Sequence, residues 1–497
     1  MSMLRCVLLA AGFVCVVGSA AGAQPDWRGY GGDAQHNANS PVASQNLTRK
    51  HWSMPVDLQS QSGFILIHYA SPMITESNTV LVPVKADSGG AFRIEAHNGA
   101  TGDLIWRANS NFLFAPHDWT PSVPAHLTAQ NRLYYGLRGG VVAYRDTPDL
   151  ASGNSGKVVF FGRKNYRQNH SAYDNNVMIS TPITADEDGN IYFGFVVTGS
   201  TPIGLKSGIA RISAGGKGTW ISAHDASNGQ YIVQVAMNCA PAISRDGKTV
   251  YIAVSDGSNG YLLGLNAKNL KPKYRAPLID PNSGSGAFLT DDSSASPTIG
   301  PDGDVYYGVL EYDAVSHNDR GWLLHFNSKL TQEKIPGSFG WDDTVSVVPS
   351  NMVPSYHGSS SYLLMSKYNN YYGVGTGDGH NKIAILDPNA EERDPIIPSV
   401  KVMNEVLTKI GPTQDPGDPA GAVYEWCINS AVVDPATKSV IANSEDGTTY
   451  RWDLTTNSLS QAFVLNPPTL ESYTPTLVGP DGTAYAINDA HLYAIGN

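Results

Sequence analysis

One phrase recurs along this chain, and it constrains the fold more than any other feature. A small residue, proline, a short apolar pair, an Asp-Gly turn and an alternating run around tyrosine appear in "STPITADEDGNIYFGF" from Ser180, "CAPAISRDGKTVYIAV" from Cys239, "ASPTIGPDGDVYYGVL" from Ala295 and "YTPTLVGPDGTAYAIN" from Tyr473. Asp-Gly tolerates the positive φ values of a tight hairpin turn, so each phrase predicts strand, two-residue turn, strand. A third strand follows in "YLLGLNAKNL", "GWLLHFNSKL" and "GTTYRWDLTTNSL". Weaker copies begin at Ala70, Trp119, Met352 and Ile428, which makes eight units spaced about 45 to 75 residues apart.

Units of four strands repeated eight times predict an all-β fold, an eight-bladed β-propeller, because radial closure leaves no long sheet edge exposed. The last unit holds only three strands, and "HWSMPVDL" from His51 is the available fourth. An N-terminal strand is therefore expected to complete the last blade and close the ring. A parallel β-helix and two separate β domains are the alternatives.

Composition fits this reading: 50 glycines and 25 tyrosines with only 15% charged residues suit short strands and tight turns. The net charge of −11 with no basic run argues against a nucleic-acid partner, which needs clustered cations. Residues 1–23 read as a signal peptide, with Arg5, an apolar "CVLLAAGFVCVVG" and a small-residue "AGA" ahead of Gln24. Residues 24–497 are then a single domain, periplasmic or secreted, with no transmembrane segment in the mature chain and expected to be a monomer. Cys239 and Cys427 remain in it, three blades apart, and are expected as free or buried thiols rather than a disulfide.

The stretches "WRGYGGDAQHNANSP" from Trp27 and "EAHNGATGDLIWRA" from Glu95 resemble the PQQ-like repeat family, the quinoprotein alcohol dehydrogenase-like propellers. The resemblance covers essentially the whole mature chain and implies eight blades. It implies no single activity, since such propellers include dehydrogenases and assembly scaffolds. The chain has no adjacent cysteine pair and no CxxCH haem motif, and the calcium ligands and catalytic aspartate of the dehydrogenases have no residue-by-residue match.

Function is left to the positions that vary. Residues just ahead of each proline should gather at one mouth of the central channel. Four residues ahead stand His68, His117, Met178, Met237, Ser293, Ser350, Trp426 and Glu471. Two imidazoles and a carboxylate on consecutive blades make His68, His117 and Glu471 a candidate divalent-metal set, with Asp118 as orienting partner or catalytic base. A hydrated polar lining is the competing reading, and a register slip would turn these side chains away. Three residues ahead, Tyr69, Asn238 and Asn351 join Asp291 and Asp292 of "LTDDSSASP" as candidate ligand-binding groups. The expected function is binding of a small polar ligand, a polysaccharide or a partner protein at the channel mouth. The alternative is a quinone- or metal-dependent oxidoreductase or hydrolase there, with a divalent metal or PQQ as cofactor. Trp27, Trp106, Trp220, Trp341 and Trp452 are expected to pack between blades.

Overall fold

The computed structural model describes residues 26–497 other than 60–69, 88, 118–121, 290–294, 315–319, 369, 375–376, 427 and 466–474. Eight antiparallel sheets form the blades of a β-propeller. The innermost strands are short: Met73–Ile74 in blade 1, Ala125–Leu127 in blade 2, Thr184–Ala185 in blade 3, Ala242–Ile243 in blade 4, Thr298–Ile299 in blade 5, Ser346–Pro349 in blade 6, Val432–Asp434 in blade 7 and Leu477–Val478 in blade 8. The second strands, such as Thr249–Ser255 and Tyr362–Tyr368, are buried along their whole length, as strands covered on both faces must be. Blade 5 has three strands, and isolated bridges from Leu323 to Gly337 and Phe326 to Glu333 flank its outermost one.

Ring closure follows the sequence reading. Arg49–Pro55 pairs antiparallel with His491–Gly496 and forms the outer strand of blade 8. The indole Nε1 of Trp52 on that strand donates to Gly99 O at 2.8 Å, in the turn of "HNGATGD" on blade 1. Gly102 in this turn has φ +75°, and a Cβ there would lie 2.7 Å from the Trp52 ring. The turn therefore needs glycine twice over, for its backbone and for the indole packed against it.

Two sequence expectations shift in register. In "TPSVPAHL" the second proline, Pro124, precedes the inner strand of blade 2, not Pro121. In blade 6 the inner strand is Ser346–Pro349, upstream of the expected copy at Met352. Two residues ahead of that strand stands Thr344, whose N–H donates to Asn429 O at 2.8 Å, so a proline there would remove a bond. Trp27, Trp341 and Trp452 are fully buried and Trp106 nearly so, as expected of packing residues.

Candidate functional site at the channel mouth

The inner strands run from one end of the channel, the mouth, to the hairpin turns at the other. Across the turn end lies the segment from Trp27 to Ser40. Its backbone carbonyls accept from equivalent inner-strand N–H groups: Ile74 to Trp27 at 2.8 Å, Leu127 to Arg28 at 2.8 Å, Ile243 to Ala34 at 2.7 Å, Ile299 to Gln35 at 3.0 Å, Val347 to Asn37 at 3.0 Å and Val433 to Ala38 at 2.8 Å. Blade 3 is joined by an ion pair between Arg28 and Glu187 at 2.8 Å. This circular path is what the "GYGGDAQHNA" motif encodes. Asp33 Oδ1 accepts from the N–H of Gln35 and of Asn37, both at 3.0 Å, and a Cβ on Gly31 would fall 2.6 Å from His36 Cα. His36 is fully buried, its Nδ1 bonded to Pro297 O at 2.8 Å, and burial pushes the imidazole down to about 4.

Toward the mouth, side chains lace the blades together. Asn238 Oδ1 accepts from Ser122 N at 2.6 Å, Ser296 Oγ accepts from Ala240 N at 2.8 Å, and Thr344 Oγ1 accepts from Ser296 N at 2.9 Å. Tyr30 reaches up from the segment below to meet Thr344 Oγ1 at 2.8 Å. Beside Thr344 sits a buried charge cluster. Lys367, near the end of the second strand of blade 6, is fully buried, and its Nζ lies 2.7 Å from Asp342 Oδ1. Asp343 Oδ2 accepts from Ser366 Oγ at 2.8 Å and Lys367 N at 3.1 Å. Burial raises the Asp343 carboxyl to about 7, opposed by the Lys367 charge and the Ser366 bond and reinforced by Asp342.

Four buried polar atoms on four blades take no hydrogen-bond partner among the described residues: Ser122 Oγ, Ser180 Oγ, Asp343 Oδ1 and Ser430 Oγ. Each stands two to four residues ahead of its inner strand. Buried polar atoms are usually paired, so these four, each just ahead of an inner strand, are candidates to meet polar groups.

Of the residues expected here, His68, Tyr69, Asp118, Asp291, Asp292 and Glu471 lie outside the described residues. Asn238 is buried in a left-handed conformation at φ 63°, where an asparagine is tolerated, and serves the lacing just described. His117 is exposed in the loop ahead of blade 2. Its Nδ1 bonds Ala115 O at 2.6 Å and its ring stands edge-on to Phe114. Asn351 is exposed in the short 3-10 turn Ser350–Met352. Met178 and Met237 pack with Ala115 and Val196 in a small apolar cluster. Among the described residues no group of three or more His, Cys, Asp or Glu is placed to hold a metal ion. Cys239 is free and buried, its thiol pushed up to about 12 by burial, which leaves it no thiolate character at neutral pH. Sequence reasoning missed Asp342, Asp343 and Lys367 because the blade 6 signature was sought at a proline. The alternation "TVSVV" after "WDD" was the available signal.

A pocket of 790 Å³ opens on the same face between blades 3 and 4, lined by Pro116, Lys206, His224, Gln230 and Gln234 among others. Val196 belongs both to its wall and to the methionine cluster.

No protein-family profile and no curated protein matches the chain in sequence. Solved structures do match in three dimensions. A europium-containing methanol dehydrogenase superposes with a TM-score of 0.54 at 9% identity, over 93% of this chain and 89% of that one. The quinohemoprotein alcohol dehydrogenase of Comamonas testosteroni gives 0.54 at 11% identity, over 96% and 82%. The fold is that of the PQQ-like, quinoprotein alcohol dehydrogenase propellers. A further member of that fold, quinohemoprotein alcohol dehydrogenase ADHIIG from Pseudomonas putida HK5, gives 0.53 at 11% identity, over 95% and 76%. At these identities the likeness to these structures is one of architecture alone. No helix among the described residues is long and apolar enough to cross a membrane.

Proposed function

We propose that this propeller binds a small polar ligand at the channel mouth, with Asp343 and the serines of blades 2, 3 and 7 supplying the contacts. The observation that carries the reading is the four unpartnered buried polar atoms just ahead of the inner strands of four blades, at the end of those strands opposite the bonds to Trp27–Ser40. Serine hydroxyls both donate and accept, and a carboxyl that titrates near 7 does either, depending on pH. Such a set suits hydroxyl- or amide-bearing molecules. Asp342 and Lys367 lie beneath Asp343 and fix its position through the backbone and the local field.

The resemblance to quinoproteins raises PQQ as a cofactor, and the described residues do not fit it. The quinone is a tricarboxylate, whereas this cluster sets two carboxyl groups against one lysine already paired at 2.7 Å. A second anion load without free cations would be left uncompensated in a buried site.

The test is a thermal-shift screen of the purified protein against monosaccharides, amino acids and small polyols, followed by calorimetry on any hit. A ligand whose affinity falls at least tenfold in Asp343→Asn and in Ser430→Ala, with folding intact, supports the reading. Hits unaffected by both substitutions would move binding elsewhere. A quinone absorbance in protein purified from its native source would favour the oxidoreductase.

A further inference from the structure

The outer rim carries a second cavity, lined by none of the mouth residues. A groove of 590 Å³ lies between the outer strands of blades 2 and 3, Ser155–Val159 and Gly218–Ser222. That volume falls in the range of ligand sites, about 300–1,000 Å³. Lys157, Arg163 and Lys217 line it, and no aspartate or glutamate does. None of the three cations takes an ion-pair partner among the described residues, although the chain as a whole carries a net charge of −11. A protein with an excess of acid has many carboxylates with which to neutralise such a cluster, and here it does not.

The rest of the lining narrows the ligand. Trp220 forms one wall, half-buried and held edge-on by Phe195 with ring centroids 6.2 Å apart, so its indole is fixed in place. Gly215 and Gly216 leave the floor bare, and a Cβ on either would meet little more than ordinary van der Waals contact. Side-chain-free backbone offers a surface that a flat ligand can approach closely. Fixed indole, bare backbone and three cations match a pyranose ring bearing a carboxylate, in which the C–H face stacks on the aromatic and the carboxylate meets lysine or arginine.

We propose that this rim groove binds an acidic polysaccharide, a chain of uronate-type sugars, independently of the channel mouth. The guanidinium of Arg163 takes a carboxylate in bidentate fashion, Lys157 and Lys217 act as point charges along the chain, and Trp220 supplies the stacking platform.

Calorimetric titration with an oligogalacturonate of defined length, against a malto-oligosaccharide of equal length, tests this. Expected are saturable binding of the acidic oligomer only, at least tenfold loss in Lys157→Ala combined with Lys217→Ala, a comparable loss in Trp220→Leu, and weakening as salt rises. Unchanged melting temperatures would show that the variants remain folded. Should Trp220→Leu unfold, saturation-transfer contacts between indole and sugar C–H protons in the unaltered protein replace it. The proposal is overturned by absence of binding at low salt, by equal affinity in the lysine variant, or by equal affinity for the neutral oligomer. It is also overturned if a DNA oligonucleotide or anionic vesicles bind as tightly as the oligogalacturonate. Asp343→Asn should leave this affinity unchanged, which separates failure here from failure at the mouth.

Discussion

Lys367 is the residue on which the mouth most depends. It is fully buried and is the cation beside two buried carboxyl groups. Removing one partner of a buried ion pair leaves a charge in a medium that solvates it poorly, at a cost of about 3–5 kcal/mol. Lys367→Met should lower unfolding stability by roughly that amount in urea titrations. Asp342→Asn combined with Lys367→Met should restore much of it.

Titration gives a second expectation at this scale. The Asp343 carboxyl is raised to about 7, so between the ordinary carboxylate range and that value the folded state holds a proton the unfolded chain has released. Its contribution is therefore present in acid and lost as pH rises toward 7. His36, lowered to about 4, and His126, lowered to about 3, act oppositely. Burial keeps both neutral, with the Arg28 charge also opposing protonation of His126. Their contribution is complete above about 6.5 and is lost as pH falls below it. In Asp343→Asn the stability between pH 4 and 7 should consequently rise more steeply with pH than in the unaltered chain. Urea midpoints across that range measure it, and an unchanged slope would remove Asp343 from the account.

At the scale of the element, the turn of blade 1 that receives Trp52 is a latch between the last blade and the first. Gly102→Ala introduces a Cβ 2.7 Å from the indole in a left-handed backbone, so both strain and overpacking act. About 1–3 kcal/mol should be lost. Hydrogen exchange should then accelerate first in Arg49–Pro55 and His491–Gly496, ahead of the other blades.

How far the sequence could be read also differs by element. Blades 4 and 5 were legible to the residue, because Pro241 and Pro297 stand directly ahead of their inner strands and Asp-Gly turns follow. The closing strand was legible because one blade was a strand short. Blades 2 and 6 were misregistered, since "TPSVP" offers two prolines and "DDTVSVVP" places its proline at the end of the strand. What a blade needs at that point is the blade-to-blade hydrogen bond, which Thr344 makes from a side chain that no proline signature detects. The cluster of Asp342, Asp343 and Lys367 was invisible for the same reason: its members are 24 residues apart and meet only once the second strand pairs with the first.

For the whole molecule, Trp27–Ser40 acts as a hub. Ile74, Leu127, Ile243, Ile299, Val347 and Val433 on six blades direct N–H groups at it. Each buried donor left without a partner costs about 1–3 kcal/mol, and domains are stable by only about 5–15 kcal/mol in total. A chain lacking residues up to Ser40 should fail to reach a cooperative folded state by circular dichroism and size exclusion. A synthetic peptide spanning residues 26–40 should restore a thermal transition when added in excess. A truncated chain that melts like the full one would reduce the segment to a passenger.

The pairing of Arg49–Pro55 with His491–Gly496 also sets an order in time. During synthesis the first of these strands emerges some four hundred residues before its partner, so no partial chain, however many blades it holds, can shut the ring. Ribosome-bound chains should therefore stay open and protease-sensitive at Arg49–Lys50 until the final strand is released, and only then become resistant, in a single step.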